Sequence, residues 1–591
     1  MRRVTLGVLC GLLAAACVAT SGSSTGSHES LRAMRHSIKQ ARLESRLARL
    51  RAGTVRVELL AARPAQARAL VARRGGRVEA AYRDLVEARV PVGSLRVLAR
   101  DPSVRYVSEP ARPVPEAVRG QGVATTGAAA WHRAGGKGEG VKIAVLDLGF
   151  EGYRHSQSSG DLPTSLVKVD FCPSGGFQAT SHGTAVAEIV AEMAPAAKLY
   201  LICAQSVAAL GQAVQYARAH GIQIISHSVS WLNTSRGDGA GAADSPEGIV
   251  AAARSAGILW VNAAGNRARQ HWSGTFTDAN ANGWNEFAPG DEGNTITLPA
   301  GAFTCIALKW DDWPASAEDY DLYLTRSPDG VVVASSTNPQ TGTEPPTELT
   351  CHGNGSGVSE TYAIGIRANR TSGRPLRFDL FVYPGPDLEY QTADGSVTEP
   401  GTSASALTVG AVCWQDSSLE PYSSRGPTID GRMKPDLAGP DSVSSYTFGP
   451  FAGCGYSGFA GTSAAAPHVA AAAALVKQAN PGFGANELQA YLEDHALDLG
   501  IAGKDSSFGS GVLALGAAPR LPKRACVVPR VLGRRLASAR TALTRAGCRL
   551  GRVRRAYSRA RAGRVIVQRP RPGTHLAPRG RVNLTLSRGH H

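Results

Sequence analysis

The segment Gly461-Thr462-Ser463-Ala464-Ala465-Ala466-Pro467-His468 sets a serine where an irregular loop turns into an apolar helix, with a proline expected in the first helical turn. A serine there carries its hydroxyl on a rigid element. The unpaired N–H groups of the helix start face whatever that hydroxyl attacks. This is the equipment of a nucleophile. Residues 141–147 are an apolar strand ending in Asp147, and the carboxyl end of a parallel strand is where α/β sheets place functional groups. Ser181-His182-Gly183-Thr184 opens a helix with a histidine in its first turn. Val261-Asn262-Ala263-Ala264-Gly265-Asn266 is a strand running into an asparagine. Amide cleavage needs a nucleophile, a base and an orienting acid. Ser463 would attack, His182 would take its proton and return it to the leaving amine, and Asp147 would fix the histidine tautomer. The Asn266 amide and the Ser463 N–H would hold the oxyanion. That chemistry requires no cofactor and no metal.

The elements that must position these residues form one alternating pattern. Buried strands and helices alternate over 117–269 and again over 401–515, as in a parallel α/β sheet with helices on both faces. Residues 270–400 break the rhythm. They are rich in Gly, Thr, Asp and Pro with short alternating runs, which predicts an all-β sandwich inserted into the α/β unit. Ahead of the body, residues 28–52 form an Arg-rich helical pattern. Residues 54–113 read as strand, helix, two strands, helix, strand, a ferredoxin-like order. Residues 520–591 read as a small α+β module.

Charge divides the same way. The chain of 591 residues carries +17 overall. Residues 1–113 hold 21 Lys+Arg against 8 Asp+Glu, residues 114–518 hold 23 against 39, and residues 519–591 hold 20 against none. An acidic body between two basic ends is not the uniform basic surface of a nucleic-acid binder, so nucleic acid is not expected as a partner. Residues 1–19 read as a secretory signal peptide: two arginines, then an apolar run ending in small residues. No later segment is long and apolar enough to span a membrane. The expected location is extracellular or at the cell wall. Eight cysteines follow the signal and suggest disulfides between chain neighbours: Cys172 with Cys203, Cys305 with Cys351, Cys413 with Cys454 and Cys526 with Cys548. Sequence order alone does not decide among the pairings.

With these motifs in hand, the chain resembles the subtilisin-like serine proteases over 117–269 and 401–515. The resemblance implies a triad of Asp147, His182 and Ser463, an oxyanion asparagine at Asn266, and a substrate groove lined by Ser230, Trp231, Leu232, Ala263, Ala264 and Gly265. The substrates it implies are proteins or peptides. Three positions depart from the family pattern. The acid sits in Asp147-Leu148-Gly149, where serine or threonine is usual in the middle. Glu188 follows the histidine where a small residue is common. Leu232 stands where glycine is usual, so its side chain is expected to narrow the pocket. Residues 28–113 resemble the family's propeptide, which implies self-processing between about 108 and 122. Trp310-Asp311-Asp312 and Tyr320-Asp321-Leu322-Tyr323-Leu324 resemble bacterial pre-peptidase β-sandwiches. Asp278-Ala279-Asn280-Ala281-Asn282-Gly283 matches the first half of a calcium loop, but Pro289 stands where the closing acid belongs, which excludes an EF-hand. A looser structural calcium site is the remaining expectation there. Residues 520–591 resemble a PASTA domain through Val528-Pro529-Arg530-Val531-Leu532-Gly533 and Gln568-Arg569-Pro570-Arg571-Pro572-Gly573-Thr574. That implies contact with peptidoglycan, and the charge adds anionic wall polymers or the protein's own acidic body. The rival expectation is a catalytically inactive relative that binds the wall.

Overall fold

The computed structural model describes residues 43–110, 114–115, 122–327, 329–449, 454–455, 458–519 and 526–590. The expected signal peptide and most of the 108–122 stretch lie outside the described residues.

The N-terminal unit comprises β1 (Thr54–Ala61), helix Pro64–Arg73, β2 (Arg77–Tyr82), β3 (Leu85–Pro91), helix Leu95–Arg100 and β4 (Val104–Ser108). Its sheet order is β2-β3-β1-β4, antiparallel throughout, as the ferredoxin-like pattern requires. Apolar residues alternate along β1, so Val57 and Leu59 face the two helices in a core shared with Leu70, Val86 and Leu98. The other face is not free. Ala80, Tyr82 and Leu85 join a core with helix Val207–Ala219 of the body. The Tyr82 ring lies so close to Gly211 that a methyl group there would sit 2.5 Å from it. The Gln212 amide donates to the Ala81 carbonyl at 3.2 Å. A short strand β5 (Val114–Pro115) follows.

The body carries β6 (Lys142–Asp147), β7 (Val167–Asp170), β8 (Lys198–Cys203), β9 (Ile224–His227), β10 (Val229–Ser230) and β11 (Leu259–Ala263). Strand β11 then gives way to the insert, which holds β12 (His271–Thr275), β13 (Asn294–Leu298), β14 (Phe303–Trp310) and β15 (Asp319–Arg326). It continues with β16 (Val331–Ser336), β17 (Thr347–Gly353), β18 (Glu360–Arg370) and β19 (Arg377–Tyr383). The body resumes with β20 (Ala406–Cys413) and β21 (Leu437–Asp441). The main sheet has seven parallel strands in the order β21-β20-β11-β9-β6-β8-β7. Both faces are covered, which is why its strands are almost wholly apolar rather than alternating. Strands β8 and β9 flank β6 on opposite sides. The carboxyl end of β6 therefore lies at the point where the winding reverses, the usual place for a site in such sheets.

The insert is a sandwich of two antiparallel four-stranded sheets, β12-β19-β14-β17 and β13-β18-β15-β16. Trp310, Tyr320, Leu322, Ile364 and Phe378 fill the space between them. Its first and last strands pair with each other, His271 opposite Phe381 through Thr275 opposite Arg377, so the chain enters and leaves the sandwich side by side. The C-terminal module has β22 (Cys526–Val527), helix Leu536–Arg545, β23 (Arg549–Ala556), β24 (Val565–Arg569), β25 (His575–Leu576) and β26 (Arg581–Ser587). Disulfides join Cys172 to Cys203, Cys305 to Cys351, Cys413 to Cys454 and Cys526 to Cys548. Cys305 and Cys351 face each other directly across β14 and β17. No helix among the described residues is long and apolar enough to cross a membrane.

Candidate active site

Asp147 ends β6, fully buried, and its Oδ1 accepts the Leu148 N–H at 2.8 Å. His182 begins helix His182–Met193 beside it. Gly183 makes that approach possible: a Cβ there would lie 2.5 Å from the Gly149 carbonyl oxygen and 2.7 Å from Asp147 Cβ. The His182 Nδ1 sits 2.8 and 2.9 Å from the two Asp147 carboxylate oxygens. A carboxylate accepts only, so Nδ1 carries a proton; in the neutral ring Nε2 then holds the lone pair a general base needs. The ring packs edge-on against Phe459, with centroids 5.7 Å apart.

Ser463 is the second residue of helix Thr462–Ala479, which is buried along most of its length. The run of alanines lets this helix pass closely through the core, against the sheet and the His182 helix. Pro467 lies inside the helix and not in its first turn, which corrects the sequence expectation. The physical reason it is tolerated is visible. Proline has no N–H to give the carbonyl four residues back. That carbonyl belongs to Ser463, and the Ser228 hydroxyl supplies the missing bond at 3.0 Å. In return the Ser463 hydroxyl donates to the Ser228 carbonyl at 3.1 Å. Ser463 and His182 are 0% and 2% exposed in the chain as it stands.

Asn266 is held by its oxygen. Its Oδ1 accepts both the N–H and the hydroxyl of Thr462, each at 2.9 Å. The Gly265 N–H donates to the Thr462 hydroxyl at 3.1 Å. Thr462 therefore fixes the amide through its oxygen and leaves the NH₂ uncommitted to Thr462. Beneath the pair, His227 bonds the Leu146 carbonyl through Nδ1 and accepts the Trp231 indole N–H at Nε2. Burial pushes its pKa down to about 4, so it is a neutral strut.

Two expected groove residues turn elsewhere. The Trp231 indole is buried in the body core. Leu232 packs on Ala307, Phe381 and Tyr383 of the insert, because that apolar face gives it a partner, so it does not narrow a pocket. The groove strand itself is occupied: β10 pairs antiparallel with β5, Val229 opposite Pro115 and Ser230 opposite Val114. The carboxylate of Glu188 is committed to partners other than Asp147, His182 and Ser463. It accepts the Ser156 hydroxyl at 2.5 Å and the Thr447 N–H and hydroxyl at 3.1 and 2.6 Å, tying the His182 helix to the short helix Tyr153–Ser159 and to the loop at Thr447.

The loop at 278–283 is a hydrogen-bonded turn. The side-chain nitrogens of Asn280 and Asn282 both donate to Glu292 Oε1, while their oxygens accept backbone N–H groups.

Sequence reasoning missed Asp441. It ends β21 as Asp147 ends β6, and a lone acid closing an apolar strand was the available signal. Its Oδ1 accepts the Gly461 N–H at 2.7 Å and Oδ2 accepts the Tyr422 hydroxyl, anchoring the loop that enters the Ser463 helix. Burial, reinforced by nearby Glu420, pushes its carboxyl well above the usual range. Asp441→Ala leaves the Gly461 N–H buried and unpaired and is expected to cost about 1–3 kcal/mol, read as a lower urea midpoint. Asp441→Asn keeps an acceptor and is expected to retain most of that stability. Equal losses in the two variants would show that the bond to Gly461 does not matter.

Comparison with known proteins follows this geometry. The Subtilase family model matches residues 138–372 and 385–511, and the PASTA domain model matches residues 527–588. Alkaline elastase YaB of Bacillus sp. (strain YaB) is 36% identical over 126 residues, covering 21% of this chain and 30% of that protein. Subtilisin Savinase of Lederbergia lenta is 34% identical over 126 residues, covering 21% and 42%. Serine protease AprX of Bacillus subtilis (strain 168) is 32% identical over 154 residues, covering 23% and 31%. The chain thus spans less than half the length of each of these relatives. The solved CspB protease of Clostridium perfringens aligns with a TM-score of 0.47 at 16% identity, over 67% of this chain and 98% of that one. The C-terminal module is a PASTA domain, and since the family match extends over more than half of its residues, the chain belongs to the subtilase family.

Proposed function

We propose that the protein is a secreted serine endopeptidase that cuts its own N-terminal unit free. The observation that carries this reading is the clamp of His182 Nδ1 between both oxygens of a buried Asp147, with a helix-start serine and a back-pinned asparagine in the same chain. The related proteins named elastase, subtilisin and serine protease support it.

The mechanism follows from the groups. The Ser463 hydroxyl attacks the scissile carbonyl carbon as His182 Nε2 takes its proton. Asp147 stabilises the resulting imidazolium. In this mechanism the negative oxygen is met by the Asn266 NH₂ and the Ser463 N–H. Collapse breaks the C–N bond, and the imidazolium gives its proton to the leaving amine. Water then attacks the acyl-serine by the same route in reverse, releasing the acid.

The pairing of β5 on β10 supports the view that the linker lies in the groove as a substrate would, since extended peptides bind by adding a strand. The PASTA domain, with its 20 Lys+Arg and no acid, is proposed to hold the protein at peptidoglycan or an anionic wall polymer. One observation favours a second reading, an inactive wall-binding relative: the Ser463 hydroxyl is bonded to Ser228.

The test compares secreted wild type with Ser463→Ala by intact mass and by digestion of an unfolded protein. Wild type is expected to lose its N-terminal unit within 108–122 and to digest; the variant is expected to do neither. Wild type that stays uncut and inactive, even after limited proteolysis in trans, would sink the protease reading.

A further inference from the structure

We infer that the disulfide between Cys172 and Cys203 is a redox gate on the active site. A dithiol that opens it frees the loop that carries His182 and switches the enzyme off, and re-oxidation switches it on again. The inference rests on the protease reading above and adds the regulation of that site.

The two cysteines stand on different sides of the triad. Cys203 is the last residue of β8, in register with Asp147 of β6 on one side and with Asp170 of β7 on the other. The next residue, Ala204, donates its N–H to the Asp147 carbonyl at 2.9 Å. The Cys203 sulfur lies 3.4 Å from the Leu148 carbonyl oxygen. Cys203 thus belongs to the frame that holds the acid. Cys172 opens the loop that runs from β7 to the base, ten positions ahead of His182. The disulfide joining them ties the loop of the base to the frame of the acid. Residues 173–181 need such a tie. They include two adjacent glycines and one large apolar side chain, Phe177, that reaches the core. The turn folds back on the cysteine itself, since a Cβ on Gly176 would lie 2.6 Å from the Cys172 Cβ. The other holds are single hydrogen bonds. The Phe150 N–H donates to the Phe177 carbonyl at 2.7 Å, and the Glu151 N–H to the Thr180 carbonyl at 2.8 Å.

Access decides how the bond opens. Cys172 is half-buried and Cys203 is fully buried, so a reagent reaches the Cys172 sulfur. A thiolate of the dithiol attacks it, a new S–S bond forms, the old one breaks, and Cys203 leaves and takes a proton. The second thiol of the reagent then attacks its own sulfur in the mixed disulfide and expels Cys172. The protein has gained two electrons and two protons, and the dithiol has become a cyclic disulfide. Two unbonded sulfurs cannot stay about 2 Å apart, so one of them must withdraw. Cys203 is fixed in the sheet between β6 and β7, so the movement falls on Cys172 and its loop. His182 sits at the far end of that loop, where its Nδ1 depends on two contacts of 2.8 and 2.9 Å to Asp147. A misplacement of about 1 Å there costs about 100-fold in rate. The gate keeps a copy that has not left a reducing compartment idle, and arms it where disulfides form.

The experiment equilibrates the matured protein with graded ratios of reduced to oxidised dithiothreitol. Freed thiols are alkylated with iodoacetamide and located by peptide mass. Hydrolysis of a small peptide anilide gives kcat and KM, and far-ultraviolet circular dichroism follows the fold. As Cys172 and Cys203 become alkylated, kcat is expected to fall by about 100-fold, with KM changed far less and the dichroism unchanged. Oxidised dithiothreitol, added before alkylation, is expected to restore the rate. The double variant Cys172→Ser/Cys203→Ser is expected to sit at the reduced level and to ignore dithiothreitol. Cys305→Ser/Cys351→Ser, which opens only the sandwich disulfide, is expected to respond as wild type does. Full activity with Cys172 and Cys203 alkylated overturns the inference. So does a loss that appears only as the dichroism collapses, or one that follows alkylation of Cys413 and Cys454 instead. The titration of wild type needs no variant, so it decides even where a substitution impairs folding. An oxidised protein that neither cleaves nor reacts with a serine-directed fluorophosphonate overturns the protease reading, and this inference with it.

Discussion

Ser463→Ala is expected to lower kcat by about 10⁶-fold, and His182→Ala by a similar factor, with the double variant no worse than either. Those magnitudes are known for subtilisin itself and are carried to this chain through the family. In the proposed mechanism Ser463 and His182 act as one unit, so removing either ends proton transfer and nucleophilic attack together. Asp147→Asn tests the third member more sharply. An amide in place of the carboxylate can donate to Nδ1, which moves the imidazole proton to Nε2 and leaves no base facing Ser463. A loss of about 10⁴-fold is expected, with a change in kcat larger than in KM. Steady-state kinetics on a small anilide would check both. A loss under tenfold for Asp147→Asn would mean that the short contact to His182 is structural only.

The second large effect is on the hold of the N-terminal unit, and it depends on pH. Glu58 of β1 lies where that unit meets the body, and its Oε2 is buried with no hydrogen-bond partner among the described residues. Burial first, then the neighbouring carboxylates of Glu87 and Asp244, push its pKa up to about 8, against a smaller downward pull from Arg56. Burial also raises Glu87, which Ser206 and Arg56 oppose. Once the unit separates, Glu58 returns to water and to an ordinary carboxylate value. A group raised in the docked state favours docking where it is protonated. Docking is therefore strongest below about pH 4.5, weakens as pH rises, and levels off above about pH 8. Across that window the dissociation constant is expected to rise by about three decades, near tenfold per pH unit. Glu58→Gln should remove most of the slope and hold the cleaved unit at alkaline pH. Recovery of activity from the cut but undissociated form, followed against pH, is the measurement. A flat profile in wild type would rule out the coupling.

The parts legible in the sequence were those whose signal is local. The triad candidates each sit at an element terminus, where a strand or helix pattern stops at a polar residue. Strand periods placed the ferredoxin-like order to within a residue or two. What the sequence hid was mostly contact between distant segments. Asp441 matters because Gly461 and Tyr422 reach it. Leu232 was expected in the pocket because the insert's apolar face could not be foreseen. Strand β23 was missed for a different reason. Residues 549–556 carry four arginines on an exposed edge strand, and a segment wet on both sides shows no period-two apolar signal.

The way the sandwich begins and ends bears on how quickly the protein can assemble. Strands β11 and β20 are neighbours in the main sheet, yet the whole insert separates them along the chain. Closing so long a loop delays a parallel pairing, because its entropy is lost before any contact is gained. Pairing β12 with β19 changes that account, since once the sandwich has formed its two ends leave from adjacent strands. The effective loop shrinks from well over a hundred residues to a few tens, which lowers the closure cost by about 1–2 kcal/mol. A sandwich that folds early thus acts as a clasp on the nascent sheet, and the slow step shifts from finding β20 to building the insert.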